Sequence, residues 1–380
     1  MNSTRIKWAV GIVIILVIIA LIVVNNSSNR SNTEPIKIGV STVLSGDFAA
    51  AGVNMVNAAK LAAADINASG GIDGRQVQLL IEDAGWDSKT GLSAAQKLIN
   101  VDGVKYIIGG TSSNGTLAAA PLANEQRVVY MTPVTGGTNV DSAGEYVFRT
   151  ANSDLLAGHD LAAAMIRLGY TRVVTVTEVT EYTLDIKKTF EATISSLGGT
   201  VLDSEEFQPG TTDFRTLAAK VQAARPQAIL VLSQTGVGGA YFVKQAREIS
   251  EVGPFFTDFT FVANADAKKI LGSFDGIYFA DPSYSADASN TAAFFARYQK
   301  TYGSPSVIPF HAASTYDSMM MLADALRAVG DNSSSVHDWL LRNIKDWNGL
   351  MGTYSLDAQG NSDLGFVVKV TKNGQPVPIQ

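Results

Sequence analysis

From Ile36 to Met131 the sequence alternates short β-branched runs with longer segments of helical periodicity. The run Ile36–Val43 has the composition of a strand, and Pro35 precedes it. In Gly52–Ala68 apolar residues recur every three or four positions, as on the buried face of a helix. Three further strands and two further helices follow in strict alternation. This order predicts a parallel sheet covered by helices on both faces, because parallel neighbours are joined by crossover helices.

The same alternation starts again after a short connecting segment. Gly144–Thr150 has the pattern of a strand that carries the chain onward, and helical and extended segments then alternate from Asp154 to Ser250. The sequence therefore predicts a second α/β sheet of similar size. Ligands of open α/β sheets bind outside the carboxyl ends of the strands, so two such sheets predict a cleft between hinged lobes.

The N-terminal segment has a different character. Arg5 and Lys7 precede the uncharged apolar run Trp8–Val24, and Asn25–Thr33 is polar. The run is long enough for a short membrane span, and the basic residues before it keep the N-terminus inside. We therefore predict a transmembrane anchor and linker in residues 1–34, with the remainder extracytoplasmic. A cleaved signal peptide, which would leave a secreted or periplasmic protein, is the alternative. A buried core helix fits less well because the run is apolar on all sides.

Composition and motifs exclude several function classes. With no cysteine, the chain has no disulfide, thiolate metal centre or cysteine nucleophile. A net charge of −6 and the lack of a basic cluster argue against a nucleic-acid partner. Gly110–Thr116 has the glycine spacing of a P-loop, but Thr116 occupies the lysine position. Gly236–Gly239 opens a helix, but Tyr241 replaces the third glycine of a dinucleotide fingerprint.

The three histidines lie in separate segments, with no spacing typical of a metal site or a histidine-based nucleophile. They are His159, His311 and His337. We therefore predict no metal, no cofactor and no enzymatic activity. An enzyme on a doubly wound scaffold is a weaker alternative, because no catalytic constellation supports it.

Several stretches follow one another in a family-specific order. The first are Ile36–Val40, Leu44–Gly46 and Ala64–Arg75. The others are Glu82–Asp83, Ala94–Ile99, Gly109–Pro121, Tyr146–Thr150, Gly210–Phe214 and Lys244–Arg247. From about Ile36 to its end, the sequence resembles the branched-chain amino-acid-binding proteins, which are type I periplasmic binding proteins of ABC importers.

The resemblance implies two Rossmann-like lobes joined by three hinge crossovers. The crossovers would lie near Thr150, near Tyr278–Pro282 and near Met351–Ser355. Lobe one would then comprise residues 35–150 plus 283–350, and lobe two residues 151–282 plus 351–380.

The resemblance also implies a function. The protein would capture an amino acid or a similar small polar solute in the cleft and pass it to the permease and ATPase subunits of an ABC importer. A sensory ectodomain on the same fold, responsive to an amino acid or an amide, is the alternative.

Candidate ligand contacts in lobe one follow two strands. Ser112 and Ser113 precede a helix whose N-terminal dipole favours a ligand carboxylate, and in the family the second serine of this pair is the contact. Either serine could instead only cap the helix. The family places a carbonyl and a hydroxyl after the fourth strand, which here implies Val134 and Thr135, although the threonine comes one position early. A plain glycine turn is the alternative.

The resemblance also indicates candidate contacts in lobe two. Tyr182 matches the tyrosine that closes over the ligand in the family. Gln234 lies in a loop where an aromatic residue is usual, and Ala51 of lobe one also replaces a common tyrosine. Asp258 is the candidate partner of a ligand ammonium group, which needs a charged neighbour when desolvated. A solvated turn aspartate is the alternative for Asp258.

Overall fold

The computed structural model describes residues 34–46, 48–249, 253–282, 289–305, 308–362 and 364–379. The anchor and linker predicted for residues 1–34 lie outside these ranges, except for Glu34. Among the helices of the described ranges, none combines the length and the apolar character that a membrane span needs.

The first sheet has five parallel strands in the order β2-β1-β3-β4-β5. The strands are β1 (Ile36–Thr42), β2 (Val77–Asp83), β3 (Tyr106–Gly109), β4 (Val129–Thr132) and β5 (Val147–Arg149). They are connected through α1 (Ala49–Ala68), α2 (Ser88–Gln96), a π-helical turn (Lys97–Val101), α3 (Ser113–Glu125) and a 3-10 turn (Thr138–Ser142). The strand order reverses between β1 and β3, which opens a crevice at the carboxyl end of the sheet.

The second sheet has seven strands in the order β14-β13-β10-β9-β8-β6-β7. The strands are β6 (Arg172–Glu178), β7 (Thr200–Phe207), β8 (Ala228–Leu232), β9 (Phe255–Asp258), β10 (Tyr278–Pro282), β13 (Phe366–Lys372) and β14 (Gln375–Pro378). Strands β6 to β10 pair in parallel, whereas β13 and β14 add an antiparallel edge. Its helices are α4 (Asp154–Arg167), α5 (Glu181–Ser196), α6 (Arg215–Ala223), α7 (Val237–Ile249), α8 (Phe259–Ala263) and α9 (Ala265–Leu271).

Between β10 and β13 the chain packs against the first sheet. This part contains α10 (Ser289–Tyr302), α11 (Phe310–Val329), α12 (Ser333–Asn343) and the hairpin β11 (Trp347–Asn348) with β12 (Thr353–Tyr354). Helix α11 packs along α1, and α12 packs on β4. The chain therefore returns to the first sheet before its C-terminal strands complete the second.

The predicted alternation of strands and helices is confirmed, as are the two largely parallel sheets. The inner strand β8 is buried along its whole length, in keeping with its uninterrupted apolar run. Helix α3 begins at Ser113 rather than near Thr116, because Ser112 supplies an N-terminal cap. The proposed lobe boundaries stay a prediction.

A buried arginine joins two of the segments that connect the sheets. The Arg149 guanidinium donates to the carbonyl oxygens of Ala151 and Ser362 and pairs with Asp141. In return, the Ser362 N–H donates to the Arg149 carbonyl at 2.7 Å. Because Arg149 is only 3 % exposed, these contacts satisfy a charge that would otherwise be costly to bury.

Candidate functional site

A small cavity lies where the carboxyl ends of the two sheets face each other. It has a volume of about 30 Å³. Its walls come from segments that follow β1, β2, β3 and β4 of the first sheet and β6, β8 and β9 of the second. The lining residues are Phe48, Ala51, Trp86, Thr111, Ser113, Val134, Thr135, Gly136, Tyr182, Gln234, Phe259, Thr260, Ile308 and His311. Five of the seven predicted contacts therefore line one cavity, whereas Ser112 and Asp258 are outside its lining and precede the lining residues Ser113 and Phe259 in the chain.

The two serines that precede α3 have different positions. The Ser112 hydroxyl accepts a hydrogen bond from the Gly115 N–H at 3.1 Å and so caps the helix. Ser113 is the first residue of α3 and lines the cavity. A side chain at Gly137 would collide with the Ser113 hydroxyl, so the glycine keeps this face open. The first N–H groups of α3 have no intrahelical partner and add a positive end to the same wall.

The turn after β4 contributes Val134, Thr135 and Gly136 to the cavity. Thr135 is buried, and its hydroxyl donates to the Gly110 carbonyl. The Thr116 hydroxyl lies 3.3 Å from that of Thr135. The Thr135 hydroxyl therefore connects the turn to the start of α3. It keeps a lone pair that can accept a hydrogen bond from a ligand.

Tyr182 reaches the cavity from the first turn of α5. Thr180 caps this helix, and its hydroxyl accepts from the Thr183 N–H at 3.3 Å. The Tyr182 ring packs edge-on against Phe259, with centroids 6.4 Å apart. Its buried hydroxyl has no hydrogen-bond partner among the described residues. Burial raises the pKa of Tyr182 well above its usual value, and the charges of Asp258 and Asp154 act in the same direction.

A buried glutamate holds the loop that carries Gln234. The carboxylate of Glu178, the last residue of β6, accepts from the Ser233 hydroxyl at 3.0 Å. It also accepts from the N–H and the hydroxyl of Thr235, at 2.9 and 2.8 Å. Gln234 lies between these two anchored residues, so its backbone position is fixed while its side chain lines the cavity.

Asp258 is fully buried at the end of β9, unlike a solvated turn residue. Its Oδ1 caps α8 by accepting from the N–H groups of Thr260 and Phe261, at 2.7 and 3.3 Å. Its Oδ2 has no partner among the described residues. Burial raises the pKa of Asp258 to about 6, against the lowering effect of the Thr260 and Phe261 donors.

Several lining residues were not anticipated from the sequence. Phe48 and Trp86 stack in parallel, with ring centroids 4.1 Å apart. They supply an aromatic wall near Ala51, where the family commonly has a tyrosine. Both lie in loops after strands β1 and β2 of the first sheet, so the strand-end rule could have identified them.

His311 also lines the cavity, although the sequence offered no metal or catalytic partner for it. It is buried at the start of α11, and its Nδ1 has no partner among the described residues. Burial lowers the pKa of His311 to about 3. The imidazole is therefore neutral near physiological pH and offers one donor and one acceptor.

A larger cavity of about 380 Å³ adjoins the first. The two share Phe48, Thr260 and Ile308. Neither cavity has a lysine or arginine among its lining residues. Within the described ranges, no group of three or more histidine, aspartate or glutamate residues could hold a metal ion. The arrangement suits an organic solute held by hydroxyls, a helix N-terminus and buried carboxylates.

Comparison with known proteins finds Leu/Ile/Val-binding proteins among the relatives of this chain. The chain is 28% identical to the Leu/Ile/Val-binding protein of Escherichia coli (strain K12) over 197 residues, covering 51% of this chain and 53% of that protein. The alignment thus spans about half the length of this relative.

Solved structures agree over more of the chain. The branched-chain amino acid transporter substrate binding protein LivJ from Streptococcus pneumoniae, in complex with isoleucine, is 26% identical with a TM-score of 0.80, covering 90% of this chain and 97% of that chain. A solute binding protein of an ABC transporter from R. palustris, in complex with 4-hydroxybenzoate, is 20% identical with a TM-score of 0.81, covering 91% and 96%. At 20% identity, the similarity to the R. palustris protein supports a shared fold alone.

The model of one family, described as periplasmic binding protein, matches residues 35–375, which include the first sheet, the second sheet up to the start of β14, and every residue of the cavity. The chain belongs to the periplasmic binding protein family.

Proposed function

We propose that the protein is an extracytoplasmic binding protein that captures an amino acid or a similar small polar solute and passes it to an ABC importer. The observation that carries the proposal is the cavity lined from the strand ends of both sheets, with Ser113 on one side and Tyr182 on the other. Relatives named for leucine, isoleucine and valine binding support an amino acid as the ligand.

The polar groups suit a zwitterion. A ligand carboxylate would accept hydrogen bonds from the Ser113 hydroxyl and from the N–H groups at the start of α3. A ligand ammonium would lie toward Tyr182 and the unpartnered Oδ2 of Asp258. These groups belong to different sheets, so one ligand in contact with both favours the closed arrangement over the open one.

Thermal unfolding of the full-length protein in mild detergent, against a panel of amino acids and small carboxylic acids, tests this function. A ligand that binds only the folded state stabilises it by about 2.7 kcal/mol at a hundredfold excess over Kd. We expect Ser113→Ala to reduce the shift and Ser93→Ala, on the exposed face of α2, to leave it unchanged. No shift with any amino acid would contradict amino-acid capture.

Delivery to an importer needs a separate measurement. We further propose that the apolar run Trp8–Val24 attaches the protein to the membrane, where permease and ATPase subunits would receive the solute. Deletion of the gene should abolish uptake of the radiolabelled solute, and reintroduction should restore it. Uptake that is unchanged by the deletion would contradict the transport role and favour a sensory ectodomain.

A further inference from the structure

One polar side chain in the cavity wall, that of His311, is buried with an unpartnered ring nitrogen. The residue is 6 % exposed and lines the cavity from the start of α11. Its N–H donates to the Ile308 carbonyl at 3.2 Å, and its carbonyl accepts from the Thr315 hydroxyl at 2.7 Å, so its backbone is fixed. The ring Nδ1 has no hydrogen-bond partner among the described residues. A bound solute that supplied a partner would remove the cost of burying this atom alone.

Other polar side chains of the cavity already bind neighbouring parts of the chain. The Thr111 hydroxyl accepts from the Val43 N–H at 2.9 Å and lies 3.0 Å from the Thr42 hydroxyl. The Thr260 hydroxyl donates to the carboxylate that caps α8. Hydrogen bonds that hold the loops together therefore explain these two hydroxyls of the wall. They do not explain the buried imidazole.

Gln234 lines the same cavity from the second sheet. It is half-buried in the loop after β8, whereas His311 belongs to a helix that packs along α1 beside the first sheet. A carboxamide offers N–H donors and a carbonyl acceptor, and a neutral imidazole offers one donor and one acceptor. The two side chains thus supply uncharged hydrogen-bonding groups from both sides of the cleft.

The lining of the cavity carries no acidic or strongly basic side chain. None of the described residues in it is an aspartate, glutamate, lysine or arginine. Burial lowers the pKa of His311 to about 3, so the imidazole provides no positive charge near neutral pH. A charged group on the side chain of a solute would lack a counter-charge in this wall. The wall therefore favours a solute side chain that is polar but uncharged.

An aliphatic side chain would leave the His311 nitrogen without a partner, and a site with such an unpaired group rejects ligands that cannot supply one. We propose that His311 is a specificity-determining residue that, together with Gln234, forms hydrogen bonds to an uncharged polar group on the side chain of the solute. The solute is then an amino acid with a hydroxyl or carboxamide side chain rather than leucine, isoleucine or valine. This inference rests on the proposed function, because it concerns the side chain of a captured amino acid.

Pairs of ligands with nearly the same shape test the assignment. Threonine is compared with valine, asparagine with leucine, and glutamine with homoleucine, by titration calorimetry on the full-length protein in mild detergent. Within each pair, only the hydrogen-bonding atoms of the side chain differ. The wild type should bind the polar member of at least one pair roughly tenfold or more tightly than its apolar partner, because the apolar ligand leaves a buried polar group unpaired.

Substitution of the histidine should remove this preference. His311→Phe keeps an aromatic ring but has no polar atom, so the ratio of the two affinities should fall to about one. His311→Gln retains a neutral donor and acceptor and should keep part of the preference. His159→Phe, at an exposed position on α4, is the matched control and should leave the ratio unchanged. Thermal unfolding without ligand checks the fold of each variant, and His311→Leu makes the same comparison if the phenylalanine variant does not fold.

The outcomes separate this inference from the proposed function. An affinity ratio at or below one in the wild type, with an amino acid bound, would overturn this inference and leave amino-acid capture intact. An unchanged ratio in His311→Phe or His311→Leu would do the same. If none of the six ligands binds, this inference fails, and the proposed function fails with it when no other amino acid raises the unfolding midpoint.

Discussion

The Asp185 carboxylate accepts two hydrogen bonds from Thr138, one from its N–H at 2.7 Å and one from its hydroxyl at 2.8 Å. Thr138 follows β4 of the first sheet, whereas Asp185 lies on α5 beside the second sheet. The Asn139 side chain also donates to Glu181 in the same place. These contacts join residues from the two sides of the cleft, so the chain itself contributes to holding the two sheets together.

Removal of this contact should favour the open arrangement. Asp185→Ala removes a carboxylate that accepts two hydrogen bonds. A hydrogen bond to a charged group contributes about 1.5–3 kcal/mol to stability when it is shielded from solvent, and less at this half-buried position. We expect ligand dissociation to accelerate about tenfold and the radius of gyration of the free protein to rise, as measured by stopped flow and small-angle X-ray scattering. Asp213→Ala, whose carboxylate pairs only with Arg215, should do neither. Equal dissociation rates in Asp185→Ala and the wild type would show that the contact does not control opening.

Substitution of Ser112 should change the stability of the protein, whereas substitution of Ser113 should change its affinity for the ligand. Ser112→Ala removes the hydroxyl that caps α3, so the free energy of unfolding should fall by about 1 kcal/mol. Ser113→Ala removes a cavity hydroxyl that caps nothing, so it should weaken ligand binding with little effect on stability. Chemical denaturation and calorimetry on both variants measure the two quantities. The reverse pattern would exchange the roles of the two serines.

The sequence was sufficient to predict the order of the elements and the loops that face the cleft. Parallel β-α units have a strong periodicity, and the strand-end rule places whatever follows a strand at one edge. This rule places Ser113 and Tyr182 at the cleft, whereas their choice as ligand contacts came from the family resemblance. Asp258 could be placed near the site, but its use of Oδ1 as a cap for α8 depends on local backbone geometry that composition does not reveal.

What could not be predicted depends on contacts between distant segments. Ile308 and His311 lie far along the chain from the other lining residues, and their relevance follows only from how the start of α11 packs against the cleft. The approach of Asp154 to Gly136 and of Asp185 to Thr138 likewise depends on how separate units meet.

Trp86 should report ligand binding through its fluorescence. It stacks on Phe48 at the cavity wall, so a ligand that displaces water there will change the polarity around the indole. We expect an emission change on ligand addition that is lost in Trp86→Phe, which keeps an aromatic stack and most of the affinity. Trp339→Phe, on α12 and outside the lining set, should retain the signal. A signal that survives in Trp86→Phe would place the ligand away from this aromatic pair.

Asp317 should make the stability depend on pH. It is buried on α11 and accepts from the N–H groups of Leu350 and Met351, at 2.8 and 2.9 Å, and from the Tyr354 hydroxyl at 3.0 Å. Burial raises its pKa from 3.8 to about 7, against the lowering effect of these three donors. The folded state thus retains a proton that the unfolded state releases. This contribution is fully present below about pH 4 and is lost as the pH rises toward 7, by up to about 1.4 kcal/mol per pH unit.

Asp317→Asn cannot ionise and isolates this effect from the other acids. Across the range from pH 5 to 8, the stability of the wild type relative to Asp317→Asn should be greatest at pH 5, the lowest value, and should decline until about pH 7, because the unfolded carboxyl is ionised there while the folded one still holds its proton. Denaturant unfolding at pH 5, 6, 7 and 8 measures the difference, and the other titrating groups are common to both proteins and cancel. A difference that stays constant across this range would mean that Asp317 is already ionised in the fold, held by the three donors that fasten Leu350, Met351 and Tyr354 to α11.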